Sequence, residues 1–207
     1  MARKKKSVQK KKTFAIVVDG KTEVWYFNML KRNERTLKIN IKPDLPSKKK
    51  LVQQYKYVRE LAEYNTKVFW IIDLDTIVEE TRKASSNSES PMAEFCRYRD
   101  RLKKDCNNVV PIVNCPCLEF WFLLHFETTA KYYESCHAAE KRLRKYLKDY
   151  EKTKSYFTRQ NQDIYLKLKP QLNEAIENAK QLSGFEVENP LQAIAEMHLF
   201  FCDEDFE

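Results

Sequence analysis

The stretch of residues 13–27 (TFAIVVDGKTEVWYF) constrains the fold of this chain more than any other. Residues 14–18 form a short apolar run that predicts a buried strand, and Gly20 allows a tight turn just beyond it. Thr22 is a good helix N-cap, and Glu23 falls in the first turn of the apolar-rich segment that follows. A strand, a sharp loop and a helix in this order are typical of an open parallel sheet, where ligands bind at the carboxyl ends of the strands.

Strand patterns alternate with helix patterns as far as residue 126. The predicted strands cover residues 13–18, 37–42, 67–73 and 108–113. The predicted helices cover residues 22–32, 47–64, 91–104 and 114–126, and beyond residue 132 only helices are predicted, at 134–150, 163–182 and 191–201. The polar, Ser-rich residues 76–90 are predicted to form a mobile surface loop. The pattern indicates an α/β fold, with a parallel sheet flanked by helices and an additional C-terminal helical region.

These patterns divide the chain into three parts. We predict a disordered basic tail at residues 1–12, an α/β domain at 13–130 and a helical region packed on it at 131–207. The net charge is +8, and seven lysines or arginines lie in the tail, which leaves about +1 for the remainder. The tail is either an arm that grips a phosphate backbone or a solubilising terminus.

Composition excludes several classes of protein. No apolar run approaches the roughly 20 residues of a membrane span. The first residues lack the apolar core of a secretory signal, so we predict a cytoplasmic protein that does not bind membranes. The chain has only two glycines, which excludes glycine-rich phosphate loops of the Walker or Rossmann type.

The cysteines are predicted to be reduced, buried thiols, because no secretory signal precedes them. Cys115 and Cys117 together with Cys136 and His137 superficially suggest zinc, but their spacing fits no common structural zinc site. Tyr132 and Tyr133 stand among lysines, where they are either base-stacking residues or ordinary exposed tyrosines.

Acidic side chains follow two of the predicted strands. Asp19 comes directly after the first strand, and Asp73 and Asp75 come at the end of the third. Side chains alternate along a strand, so Asp73 and Asp75 are predicted to point the same way. Two carboxylates this close repel unless a cation lies between them, and oxygen ligands favour Mg²⁺ or Mn²⁺. We therefore predict that the two strand ends lie side by side and hold a divalent metal. The alternative is that Asp73 ends the strand and Asp75 caps a turn.

Three further charged residues are candidates for the same site. Glu23 could reach it from the first helix, or could simply favour the helix dipole. Lys21, near the helix N-terminus, is either a phosphate ligand or an exposed loop lysine. Glu119 lies within the apolar residues 118–122, where an acid is costly to bury without a partner. We predict a functional role or a cation partner for Glu119.

Three segments, in this order, resemble the motifs of the bacterial RloB family. They are DGKTEVWYF at residues 19–27, IIDLD at 71–75 and NCPCLEFWFLLHF at 114–126, and Asn189-Pro190 resembles the late helix start of the family. The resemblance covers most of the chain from Thr13 onward. The family is similar to Toprim (topoisomerase–primase) domains, is typically encoded beside restriction–modification genes or an AAA-type ATPase, and is linked to phage defence.

The resemblance implies a role for each acid. Asp19 would be the general acid or base, Asp73 and Asp75 would bind Mg²⁺, and Glu23 and Glu119 match the acids of the first and third motifs. We therefore predict the catalytic residues Asp19, Glu23 and Lys21, and the metal ligands Asp73, Asp75, Asp19 and Glu119.

The chain departs from the family pattern at two positions. The first-motif glutamate is Asp19 here, which sets the carboxylate back by roughly 1.5 Å. The proline that follows the third-motif asparagine is replaced by Cys115, and Pro116 comes one residue later.

The resemblance implies a Mg²⁺- or Mn²⁺-dependent Toprim-type nuclease that acts on DNA or RNA in abortive infection with an AAA-type ATPase partner. The alternative, which Asp19 favours, is a catalytically weak or inactive nucleic-acid-binding or regulatory subunit. A phosphatase with an aspartyl nucleophile is disfavoured, because haloacid-dehalogenase-like enzymes carry their DxD after the first strand. Self-association into a homo-oligomer is left open.

Overall fold

The computed structural model describes residues 12–37, 39–44, 50–85, 89–204 and 206. Five strands form one sheet in the order β2-β1-β3-β4-β5, in which the first four are parallel and β5 is antiparallel to β4. The strands are β1 (Lys12–Val17), β2 (Ile39–Asp44), β3 (Lys67–Asp73), β4 (Val109–Cys115) and β5 (Ile194–Ala195). This mostly parallel sheet confirms the predicted α/β fold. Residues 1–11 of the predicted basic tail lie outside the described residues, and Lys12 is the first residue of β1.

Helices cover both faces of the sheet. They are α1 (Lys21–Asn33), α2 (Leu51–Tyr64), α3 (Leu74–Lys83), α4 (Pro91–Asp105), α5 (Leu118–Leu123), α6 (Cys136–Leu143), α7 (Lys154–Phe157), α8 (Ile164–Leu168), α9 (Leu172–Lys180) and α10 (His198–Phe201). Within the described ranges, none of these helices has the length and apolarity needed to cross a bilayer.

Alternate residues of the central strands build two hydrophobic cores. On one face, Phe14 and Phe69 pack with α1, α5 and Phe200 of α10. On the other face, Val17 and Trp70 pack with α2, α3 and α4. The central strands are apolar on both sides because helices cover both sides, as in other parallel sheets.

The predicted loop at residues 76–90 is wrong for its first part, where α3 forms instead. Leu74, Ile77 and Val78 are buried and lie on one stripe of this helix. Their burial against the sheet outweighs the polar character of the rest of the segment. Residues 86–88 of the predicted loop lie outside the described residues.

The C-terminal region is less regular than predicted. The expected helix at 134–150 ends at Leu143, and the expected helix at 191–201 is replaced by β5 and α10. Glu196 explains the extended segment: its carboxylate accepts the backbone N–H groups of Val113 and Phe185, both at 2.9 Å. The C-terminal region therefore completes the sheet beside β4.

Candidate metal centre

Parallel pairing brings the carboxyl ends of β1, β3 and β4 to one edge of the sheet. Asp73 is the last residue of β3, and Asp19 lies two residues beyond β1. One carboxylate oxygen from each of Asp19, Glu23 and Asp73 lies within 4.8 Å of the other two. These three residues are called the acid centre below. The structure thus places the two strand ends side by side.

Glu23 folds back over the loop that joins β1 to α1. Helix α1 begins at Lys21 with Gly20 as its N-cap, so the prediction of Thr22 as N-cap is wrong. A Cβ atom on Gly20 would lie only 2.2 Å from Oε2 of Glu23. Glycine is therefore required at residue 20 while Glu23 holds this position.

Replacing Gly20 with alanine is expected to displace the Glu23 carboxylate and to weaken Mn²⁺ binding by about tenfold, because one ligand of a small site is lost. Isothermal titration with Mn²⁺ measures the effect. The control is Gly184→Ala, where the added Cβ meets Oε1 of Glu196 at 3.3 Å and none of the three acids. Equal Mn²⁺ affinity in Gly20→Ala and the wild type would contradict the role of Gly20.

Asp73 is held by two hydrogen bonds. Nδ2 of Asn114 donates to Oδ1 at 3.2 Å, and the backbone N–H of Leu118 donates to Oδ2 at 3.2 Å. The position of Asn114 follows directly from the strand register, which places it on β4 opposite Asp73. It was not predicted as a site residue, although its place at a strand end, in the first position of the third motif, is a usable signal.

The pKa values of Glu23 and Asp73 are both raised. Burial, followed by the charge of Asp19, raises the pKa of Glu23 to about 8. Burial, followed by the charges of Glu23 and Asp19, raises the pKa of Asp73 well above its ordinary value. Such carboxyl groups retain protons near neutral pH unless a cation neutralises them.

The acid centre offers the donor set of a hard cation. Its three side chains supply oxygen atoms alone, which suits Mg²⁺ or Mn²⁺. Oε2 of Glu23 and Oδ1 of Asn114 are buried and have no hydrogen-bond partner among the described residues. A buried oxygen without a donor costs free energy, and a bound cation would remove this cost for Glu23.

Asp75 is not part of the acid centre. The prediction that it points the same way as Asp73 assumes a continuous strand, but α3 begins at Leu74. Asp75 lies in the first turn of α3, where its Oδ1 accepts the N–H of Thr76 at 2.7 Å. The backbone N–H of Asp75 donates to the carbonyl of Pro116 at 3.1 Å.

Glu119 is buried and has the cation partner that its surroundings predict. Nζ of Lys152 lies 2.9 Å from its Oε1, and the hydroxyl of Tyr150 donates to the same oxygen at 2.6 Å. Its Oε2 lies 2.9 Å from Sγ of Cys117 and 3.0 Å from Sγ of Cys136. Glu119 therefore lies outside the acid centre, although its charge contributes to the raised pKa values of Glu23 and Asp73.

The two cysteines beside Glu119 differ from expectation. Cys117 and Cys136 form a disulfide, whereas all six cysteines were predicted to be reduced thiols. They meet because α5 and α6 pack together, which no local pattern in the sequence reveals.

Lys152 was also not predicted, since it is one lysine among many in its segment. Lys21, which was predicted, is exposed at the start of α1.

A basic groove lies beyond the end of β4. It is a cavity of about 720 Å³ lined by residues 127–145, among them Lys131, Lys141 and Lys145. Arg142 also lines it, but pairs with Glu127 at 2.5 Å. The other acid in its wall is Glu134. The groove therefore carries a net positive charge.

Tyr132 in the groove wall packs against the hydrophobic cluster that includes Cys115. Burial, followed by the neighbouring Cys115, raises the pKa of Tyr132 in the groove wall. Burial, followed by Asp75 and Asp73, raises the pKa of Cys115 to about 12. Cys115 is the last residue of β4 and lies one residue beyond Asn114, the partner of Asp73.

Comparison with models of protein families finds one family whose model covers most of the chain, including the acid centre. The model of RloB-like proteins matches residues 14–201. Comparison with curated proteins and with solved structures finds no match. The family match runs from Phe14 in β1 to the end of α10, and it includes the acid centre and the groove. The chain therefore belongs to the RloB-like protein family.

Proposed function

We propose that this protein is a metal-dependent nuclease that cleaves phosphodiester bonds in DNA or RNA. The observation that carries the proposal is the convergence of Asp19, Glu23 and Asp73 at the carboxyl edge of a parallel sheet, where such folds bind ligands. Mg²⁺ or Mn²⁺ bound by these residues would activate water and neutralise charge on the scissile phosphate.

Each residue of the acid centre would have a distinct part. Asp73 is the fixed ligand, because Asn114 and the N–H of Leu118 orient both of its oxygens. Glu23, whose pKa is about 8 without a cation, would release its proton when the metal binds. Asp19 is placed on the loop after β1, where it would act as general acid or base. We retain Lys21 as a phosphate ligand, and Asp75 and Glu119 as residues that affect the centre from its surroundings.

The basic groove supports a nucleic-acid substrate. Lys141 and Lys145 form no ion pair within the described residues, so both ammonium groups can contact phosphate. Lys131 lies over the ring of Tyr133, with Nζ 5.4 Å from the ring centroid. Because Tyr133 is buried, we assign the groove to phosphate contacts and not to base stacking.

The wider role follows from the family resemblance. We propose a Toprim-like nuclease of the cytoplasm that acts in phage defence by abortive infection, together with an AAA-type ATPase. The second candidate is a non-catalytic nucleic-acid-binding subunit on the same fold. The shorter side chain of Asp19, in place of the family glutamate, favours this second candidate, since a misplaced carboxylate can cost considerable rate.

Incubation of the protein with supercoiled plasmid or RNA, in Mg²⁺, Mn²⁺ or EDTA, tests the first candidate. We expect cleavage only with metal, and its loss in Asp73→Asn. The control is Asp105→Asn, an exposed aspartate at the end of α4. Nucleic-acid binding without cleavage in any metal would favour the second candidate. Cleavage that persists in Asp73→Asn would contradict the assignment of the site.

Charge reversal in the groove tests the path of the substrate. We expect Lys141→Glu with Lys145→Glu to weaken DNA or RNA binding by at least about tenfold near 0.1 M salt and to flatten its salt dependence. Mn²⁺ affinity should stay as in the wild type. The matched control, Lys56→Glu with Lys104→Glu, changes charge equally on exposed faces of α2 and α4. Equal losses in both pairs would show a non-specific charge effect and refute the groove.

A further inference from the structure

We propose that Cys117 and Cys136 form a reversible thiol–disulfide exchange site that reacts with small-molecule thiols and disulfides. The structure joins the two sulfur atoms, places both in contact with Glu119, and places Cys136 in contact with Lys152. The inference is independent of the proposed nuclease activity, since it concerns a cluster outside the acid centre.

The contacts of Glu119 affect the balance between the oxidised and the reduced pair. Its Oε2 lies 2.9 Å and 3.0 Å from the two sulfur atoms, close enough to accept a hydrogen bond from either one when it is a thiol. Disulfide sulfur atoms carry no hydrogen to donate. The carboxylate therefore favours the reduced pair, whereas the approach of the two sulfur atoms favours the oxidised pair. A site with both features is suited to interconversion.

Exposure and charge assign different roles to the two cysteines. Cys136 is partly exposed at the first residue of α6, and Nζ of Lys152 lies 2.9 Å from its sulfur. A neighbouring ammonium stabilises a thiolate, which is the attacking species in exchange. Cys117 is only 2% exposed, so it meets reagents through Cys136.

The exchange step then balances as follows. The thiolate of Cys136 attacks one sulfur of a small-molecule disulfide, the reagent's S–S bond breaks, and one thiolate leaves. Cys117 attacks Sγ of Cys136, the Cys117–Cys136 bond forms, and the second reagent thiolate leaves. Two electrons pass to the reagent, and the protons of the two cysteines end on the two released thiols. A small-molecule thiol reverses both steps.

The two cysteines and Glu119 could also be read as a zinc site, but their surroundings do not favour zinc. Cys117, Glu119 and Cys136 could each offer one ligand atom. However, Nζ of Lys152 lies 2.9 Å from both Oε1 of Glu119 and Sγ of Cys136. This ammonium already supplies positive charge to the cluster, and it would repel a second cation.

Equilibration of the full chain with mixtures of reduced and oxidised glutathione tests the proposal. Free thiols are then alkylated after an acid quench and assigned by peptide mass. We expect Cys117 and Cys136 to change together in one transition in the folded protein, while Cys96, Cys106, Cys115 and Cys202 stay reduced. The proposal would be overturned if the two cysteines were labelled independently, or if both stayed thiols at every glutathione ratio. It would also be overturned by a disulfide that survives excess dithiothreitol, or by stoichiometric zinc in the purified protein.

Replacement of Glu119 tests the carboxylate itself. A glutamine removes the charge that favours thiol donors, so Glu119→Gln should form the disulfide at an oxidant-to-thiol ratio about tenfold lower than the wild type. The control is Glu134→Gln, an exposed residue close to Cys136 in the sequence. An unchanged or higher ratio in Glu119→Gln would contradict the two-state explanation. The wild-type transition remains decisive if this variant does not fold.

Discussion

The unfolding free energy of the metal-free protein is expected to fall by roughly 5 kcal/mol, from Glu23 alone, as the pH rises. The fall occurs over the range in which the unfolded chain has released the Glu23 proton and the folded chain has not. That range extends from the ordinary pKa of 4.5 to the folded value of about 8. Across it the unfolded state binds fewer protons, so stability falls as pH rises. Above pH 8 both states are ionised and the loss levels off. Asp73, whose pKa is also raised, acts in the same direction.

Comparison with Glu23→Gln isolates this effect. Urea unfolding in EDTA at several pH values should show a steeper fall for the wild type than for the variant. His125 acts in the opposite direction, because burial lowers its pKa to about 4, but it is present in both proteins and cancels. Glu94→Gln, in the first turn of α4, is the matched control. Identical pH profiles for the wild type and Glu23→Gln would refute the raised pKa.

The second large effect is expected at Lys152. Lys152→Met should lower the unfolding free energy by about 3 kcal/mol, because it leaves the buried charge of Glu119 without its cation. Although burial lowers the pKa of Lys152, its contact with Glu119 raises it overall, as expected of a stabilised ammonium. The side chain of Lys152 is 37% exposed and that of Glu119 is 2% exposed. Water therefore reaches Glu119 poorly and replaces little of the interaction that the carboxylate loses with Lys152.

A double-mutant cycle separates the ion pair from other effects of the substitution. Lys152→Met combined with Glu119→Gln should recover much of the loss, because no buried charge then remains. Lys154→Met, an exposed lysine in α7, is the control for removal of a lysine. Additive losses in the double variant, measured by urea unfolding, would show that the two side chains are not coupled.

Local patterns predict the parts of the site that lie next to each other in the sequence. The apolar run before Asp19, the glycine after it and Glu23 one turn into α1 are adjacent along the chain, and so is the strand that ends at Asp73. Parallel pairing then brings Asp19 and Asp73 to one edge. The same reasoning placed Asp75 beside Asp73, and this was wrong. A helix begins one residue after Asp73, because Ile77 and Val78 are buried on one face of it.

The surroundings of Glu119 could not be predicted in the same way. Tyr150, Lys152 and Cys136 reach it from segments whose positions are fixed by packing of α6 and α7 on the rest of the fold. The sequence indicated that Glu119 needs a partner, but it offered many lysines and no means to choose among them. Long-range contacts of this kind depend on the whole fold.

The short strand β5 has a consequence for biosynthesis. It pairs with Asn114 and Cys115, at the strand end next to Asp73, but it comes from residues 194 and 195. A nascent chain can therefore assemble β1 to β4 while this flank is still open. The hydrogen bonds between this segment and β4 can form only after residue 196 has been synthesised, so the sheet is completed late in translation.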